Sequence, residues 1–361
     1  MSGNADNYEA AVKTSSSETV ATFSERKGVM AKVQHALHVT PALVPLFVLV
    51  ASIVIFGLLL GSKFFSPFAL TLILQQVQIV GIVAAAQSLV ILTAGIDLSV
   101  GAIAVLSSVI MGQFTFRYGL PVEVAVAAGL IFGTLIGSIN GWLIAVMKLP
   151  PFIVTLGMWQ IVLAANFLYS QNATIRSQDI EAQAPLLQFL GTTFKIGADV
   201  DGRGGATFTY GVIAMVLIFA ILSYVLSQTA WGRHVYAVGD DPEAAQLSGV
   251  NVKATLISVY AVTGFICAIA GWALIGRIGS VSPTSGQLLN IESITAVVIG
   301  GISLFGGRGS IMGPLFGALI VGVFTLGLRL AGADAQWTFL LIGTLIIGAV
   351  AVDQWIRKVS A

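Results

Sequence analysis

Two carboxylates stand where carboxylates are costly. Asp97 follows a long apolar run in Thr93-Ala94-Gly95-Ile96-Asp97-Leu98-Ser99-Val100-Gly101, and Glu292 heads another apolar run. Ionisable groups within a membrane segment usually serve to bind a proton, a cation or a polar substrate. Both residues also have structural uses. Asp97, flanked by glycines, can cap the helix that follows a break, and Glu292 can be the acid of a helix's first turn. The residues alone leave both uses open. Uncharged amides recur in other apolar stretches, at Gln75, Gln76, Gln78, Gln87, Asn140, Gln160 and Asn166. An amide offers both donors and acceptors to a polar, uncharged solute. Gln87, Asp97, Ser99, Asn140, Gln160, Asn166 and Glu292 therefore form a candidate translocation path. The same amides can instead hydrogen-bond one helix to another.

No catalytic set accompanies them. A GxxxxGK[ST] loop is absent, and Gly306-Gly307-Arg308-Gly309-Ser310 lacks its lysine and its strand-to-helix context. Neither HExxH nor GxSxG occurs, and His35, His38 and His234 do not form a metal spacing. The one cysteine, Cys267, lies in an apolar run and reads as a core residue. One cysteine excludes a disulfide within the chain and any CxxC site. No catalytic residue, metal or cofactor is expected on this chain, and it does not hydrolyse ATP by itself.

The elements that must position these residues are membrane helices. Of 361 residues, 57% are hydrophobic and 9% are charged, against roughly 25% charged in soluble domains. So few charges cannot make a water-facing surface, and the lipid bilayer is the first expected partner. Net charge is +1 and gives no reason to expect nucleic acid. The fold class is all-α, a polytopic bundle of about ten spans (eight to eleven), because an apolar span needs about 20 residues. The candidates are 42–62, 68–93, 99–115, 121–147, 151–170, 208–230, 254–276, 290–306, 311–330 and 336–352. Residues 277–306 read as a broken or re-entrant segment. No alternating strand pattern runs through the spans, and lipid-exposed backbone must satisfy itself, so they are helices.

The membrane domain is expected at 41–355, after a polar tail over 1–40 that reads as disordered and cytoplasmic. The first apolar run lacks a cleavage site and reads as a retained span. With both termini inside, ten Lys and Arg residues fall in the cytoplasm and seven outside, a modest bias of the usual sign. Loop 171–207 then lies outside and loop 231–253 inside. The inner loop carries a short helix at about 242–248. Asp240 or Asp241 caps it, Pro242 opens it, Glu243 sits at its positive end, and Gly249 ends it. It is either an ordinary surface helix or a docking element. Gly129, Gly133, Gly137 and Gly141 recur every fourth residue, a smooth stripe for close helix packing. Gly95-Ile96-Asp97-Leu98-Ser99 and Gly301-Ile302-Ser303-Leu304-Phe305 are faintly alike, as internal repeats of transporters can be.

Four blocks carry a resemblance. They are Thr93 to Gly101, Leu149-Pro150-Pro151-Phe152-Ile153-Val154-Thr155-Leu156-Gly157, Ala237 to Gly249, and Ala296 to Gly307. Together, in this order, they resemble the ATP-driven sugar importer permeases of the ribose/xylose/fructose type, the fructose members above all. The resemblance covers about residues 42 to 355. It implies a permease in the bacterial inner membrane that works as a pair, of two copies or of two related chains, and moves a monosaccharide by alternating access. It implies two ATP-binding subunits, which use ATP and Mg, and a periplasmic sugar-binding protein. It assigns the coupling helix to Asp240, Asp241, Pro242, Glu243, Ala244, Ala245, Leu247, Ser248 and Gly249. The small residues Ala244, Ala245 and Gly249 would seat in a groove of the ATPase. The alternative is an ion-coupled secondary sugar transporter that uses Asp97 or Glu292.

Overall fold

The computed structural model describes residues 42–198 and 204–360. The tail expected to be disordered, 1–40, lies outside the described residues. The remainder is one compact unit. Its order is α1 (Leu43–Leu60), α2 (Pro67–Leu92), α3 (Val100–Phe116), α4 (Val122–Ala145), α5 (Pro151–Ser170), α6 (Ser177–Gln183), β1 (Thr193–Ala198), β2 (Gly204–Thr209), α7 (Tyr210–Gln228), α8 (Ala230–Asp240), α9 (Pro242–Leu247), α10 (Val252–Ile278), α11 (Leu289–Ile299), α12 (Met312–Leu330) and α13 (Ala335–Ser360). Among the described residues, seven helices are long and apolar enough to cross a membrane. Three shorter apolar helices, Val100–Phe116, Leu289–Ile299 and Gln336–Ala351, complete the ten apolar segments expected.

Burial sorts the helices. The apolar window of α10 is 67% buried and that of α2 is 61%, against 28% for α1, α4 and α5. Thus α10 and α2 form the interior, and the others present apolar side chains outward. Leu58, Leu168 and Phe47 are 83%, 79% and 75% exposed, which a bilayer tolerates and water does not.

Lipid is as apolar as these side chains, so association rests on packing rather than on removal from water. The α4 stripe supplies that packing. A Cβ at Gly133 would lie 2.7 Å from Gly264 O, and one at Gly141 would lie 2.8 Å from Ile257 Cα. At Gly137 it would run into Tyr260 O, and at Gly264 into Gly133 O. Backbone therefore meets backbone where α4 crosses α10. Gly129 closes the stripe against Met111 and Ser107 of α3.

Two expectations need correction. Span 290–306 ends as helix at Ile299, because the chain turns at Gly301, whose φ is 78°. At 1.5 Å per residue, the 11 residues of α11 reach only about 16 Å of a core roughly 30 Å thick. The non-helical 279–288 segment must share the crossing, which is the expected broken segment. Loop 171–207 holds more than irregular chain. It contains α6, a 3-10 turn (Pro185–Gly191) and an antiparallel hairpin that pairs Phe194 with Phe208. The hairpin's short alternation is easily read as loop.

Candidate functional site

The break between α2 and α3 gathers four of the seven candidate path residues. Helix α2 stops at Leu92, and Ala94 takes a left-handed φ of 59°. Gly95 N–H then bonds back to Val90 O at 3.0 Å. The chain re-enters helix at Val100, and Asp97 lies between. Its Oδ1 accepts from Ser99 N (2.7 Å) and Ser99 Oγ (2.6 Å). Asn140 of α4 donates from Nδ2 to Ser99 Oγ at 3.0 Å. With its amide turned to satisfy both groups, Gln87 donates to Asp97 O (3.0 Å) and accepts from Asp97 N (3.2 Å). Thr155 of α5 donates to Ile96 O at 2.9 Å. Gln87, Asp97, Ser99 and Asn140 are each 0% exposed.

This arrangement departs from the capping role that the sequence allows for Asp97. Asp97 does not cap α3 in the usual way, since its bonds go to Ser99 itself and not to the helix's second or third N–H. It acts as the hub of a buried network that pins α2, α3, α4 and α5 at one point. The network is only partly satisfied: Asp97 Oδ2 and Asn140 Oδ1 have no partner among the described residues.

The other three path candidates lie elsewhere. Asn166 is buried on α5 and donates to Pro283 O at 2.8 Å. Gln160, also on α5, is exposed and does not join the buried path. Glu292 is half-buried in the first turn of α11, where the Arg277 charge faces it. Arg277 itself donates to Gln76 Oε1 at 2.6 Å. Gln78 is held by Thr209 of the hairpin. These amides are therefore interhelical ties in large part.

On the face that carries α8 and α9, the expected capped helix is present over Pro242–Leu247. Asp241, not Asp240, is the cap: its Oδ1 accepts from Glu243 N (2.9 Å) and Ala244 N (3.0 Å). Asp240 closes α8 instead. One assignment is corrected. Ala245 is 5% exposed and faces its own chain, whereas Leu247 is 91% exposed. Asp240, Asp241, Pro242, Glu243, Ala244, Ser248 and Gly249 are exposed beside it. The outward surface is thus centred on Leu247, and Ala245 anchors the helix.

Helix α8 was not anticipated, although Trp231, Val235 and Val238 are spaced as one helical face and Thr229 caps it through Gly232 N (3.2 Å). Its buried side is bolted to the bundle. Trp231 Nε1 donates to Ser258 Oγ of α10 at 2.7 Å, and Tyr236 OH donates to Gly309 O at 2.9 Å. Burial pushes the Tyr236 hydroxyl above its usual pKa, so it remains a donor. At the end of α8, Gly239 lies so close to Leu92 O that a Cβ would collide, and a Cβ there would also lie 2.7 Å from Gly307 N. Gly307 N donates to Leu92 O at 3.0 Å. Three chain ends thus meet: the end of α2, the end of α8 and the Gly306–Gly307 turn. The residues that flank the two faintly repeated blocks, Leu92 and Ala94 on one side and Gly306 and Gly307 on the other, meet here too. Each break has a left-handed residue, Ala94 (φ 59°) or Gly301 (φ 78°). Each is then closed by a bond to the fifth residue back, Gly95 to Val90 and Ile302 to Val297.

Residues 69–350 match the family described as branched-chain amino acid transport system / permease component. The chain belongs to this permease family. Its membrane helices and the family agree on a multi-pass membrane permease. The permease is 69% identical to the fructose import permease protein FrcC of Rhizobium meliloti, over 98% of this chain and 96% of that relative. It is 36% identical to the ribose import permease protein RbsC of Bacillus subtilis, over 86% and 91%. The xylose transport system permease protein XylH of Escherichia coli is 30% identical, over 87% and 93%. The four blocks quoted from the sequence all fall within the matched region. In the permease they correspond to the α2–α3 break, the start of α5, the α8–α9 face and the α11–α12 turn.

Proposed function

We propose that this permease is the membrane-spanning subunit of an ATP-driven importer in the bacterial inner membrane, and that it carries a monosaccharide, fructose before ribose or mannose. The observation that carries the reading is 69% identity to a fructose import permease along nearly the whole of both chains. The permease works as a homodimer with both termini, including the 1–40 tail, in the cytoplasm. Two ATP-binding subunits bind ATP and Mg and dock on α9. A periplasmic sugar-binding protein delivers the substrate on the side of loop 171–207.

The α8–α9 face supports this division of labour. An exposed leucine on a rigidly capped helix suits a groove in a partner, since buried apolar anchors dominate interface energy. ATP moves the equilibrium only if it binds the closed ATPase pair better than the open one. Closure would pull on α9, and α8 would carry the pull to Leu92 and the Gly306–Gly307 turn, and so to the Asp97 network. An ion-coupled carrier would use Asp97, whose Oδ2 has no partner among the described residues, but the likeness to a fructose import permease along nearly the whole chain favours the ATP-driven reading.

The test is purification from native membranes in mild detergent. ATPase activity that travels with the permease, at one ATP-binding subunit per permease chain, supports the reading. A folded permease with no ATPase, whose sugar uptake is abolished by an ionophore, would replace it with ion coupling.

A further inference from the structure

The broken segment before α11 faces a cavity of about 280 Å³ between α5, the first turn of α3 and the start of α11. This is near the lower end of small-ligand sites, roughly 300–1,000 Å³. Non-helical backbone within a membrane crossing is tolerated where protein buries it or where it lines a polar cavity. The segment is held open by its own ties. Ile175 and Val281 exchange backbone bonds of 3.0 and 3.1 Å, and Gln188 Nε2 donates to Gly279 O at 2.7 Å.

The lining has a definite chemistry. Trp159 and Phe167 bring aromatic surface from α5, and Asn166, Asn290, Ser285 and Gln287 bring neutral polar groups. Among the described residues, no charged side chain lines the cavity. Asn166 is 1% exposed. Its Nδ2 is taken by Pro283 O, but its Oδ1 has no partner among the described residues. A buried acceptor without a partner costs about 1–3 kcal/mol; of the residues with such an unpartnered atom, Asn166 is the one that lines this cavity. Asn290 is committed on both sides, donating to Leu98 O and accepting from Ile291 N.

We propose that this cavity is a monosaccharide-binding subsite on the permease itself. The Asn166 Oδ1 accepts a sugar hydroxyl, and Trp159 offers an aromatic face to the sugar's apolar C–H surface. A neutral polyhydroxylated ring matches neutral amides, a hydroxyl and aromatic rings. An amino-acid zwitterion would bring two charges to a lining that has none to meet them. The subsite rests on the sugar-import reading above, and it adds a place where this chain recognises what it moves. It opens from the half of α5 that runs into loop 171–207.

The test uses a reactive thiol. Cys267 is fully buried, so Ser285→Cys, or Gln287→Cys should the first fold poorly, places one accessible thiol in the cavity. Membrane vesicles holding the whole transporter are labelled with a maleimide, with and without D-fructose, D-ribose or D-xylose. The expected result is a labelling rate at least halved by the imported sugar and unchanged by L-leucine. Gln160→Cys, exposed on the same helix, should be unaffected by either. Unchanged labelling in vesicles that do import the sugar would overturn the subsite alone. Equal protection by leucine, or equal slowing at position 160, would also overturn it. Vesicles with their ATP-binding subunit and binding protein present that import none of the three sugars would overturn the sugar reading, and the subsite with it.

Discussion

At Asp97 one carboxylate oxygen receives two hydrogen bonds from a single neighbour, and that neighbour's hydroxyl receives a third from Asn140, 41 positions away. Hydrogen bonds to a charged group contribute about 1.5–3 kcal/mol each. Asp97→Asn should therefore lower the thermal midpoint in detergent clearly, while Glu123→Gln, at an exposed position, leaves it alone. Equal midpoints would show that the network contributes nothing. Leu247 and Ala245 make a second pair. Leu247→Asp should leave the midpoint unchanged and cut sugar uptake at least about tenfold, the effect of losing one interface anchor of roughly 1.4 kcal/mol or more. Ala245→Arg should instead lower the midpoint, because a long charged side chain must displace this chain's own packing. The individual residues of both sites were legible in the sequence, since polar groups stand out against apolar runs. Their convergence was not. Nothing local to Ser99 points to Asn140, and a six-residue helix is too short for periodicity to show which side, Ala245 or Leu247, faces inward.

Element boundaries follow from simple chemistry where a breaker marks them. Pro151 opens α5 at the residue expected, and Asp241-Pro242 opens α9. Ends are less legible where tertiary contact decides. Helix α11 stops at Ile299 although apolar residues continue to Leu304, because the chain must turn to bring Gly307 to Leu92 O. Helix α8 was hidden inside what reads as a loop, its single apolar face diluted by Arg233, His234 and Asp240. The glycine stripe was plain in the sequence, but its partner, Gly264 of α10, was not. Gly137→Leu should destabilise the permease by about 1–3 kcal/mol through overpacking, read as a lower midpoint. Gly157→Ala should not lower it and can raise it slightly, since no atom lies within 4 Å of a Cβ there and alanine is the better helix former by about 0.5–1 kcal/mol. Gly239→Val probes the junction of α8 with α2. It should separate the two activities, keeping ATPase subunits bound while sugar uptake falls. Loss of bound ATPase would instead mean that α8 only supports the docking face.

On the scale of the molecule, the proposed division of labour gives docking to α9 with its exposed leucine, and sugar entry to loop 171–207 and the cavity beside Asn166. The Asp97 network ties α2, α3, α4 and α5. Composition and ten apolar segments made the membrane bundle readable from sequence, because few charges and long apolar runs admit little else. The cargo was not readable in the same way. A sugar leaves no periodic mark on a chain, and its assignment rests on likeness to sugar permeases together with an uncharged cavity lining. The direct test is uptake of radiolabelled D-fructose into liposomes that hold the permease and its ATP-binding subunit, with the binding protein outside. Uptake that needs ATP inside the liposome, and persists when ion gradients are collapsed, is the predicted result. Uptake that proceeds without ATP and stops when the gradients collapse would contradict the account.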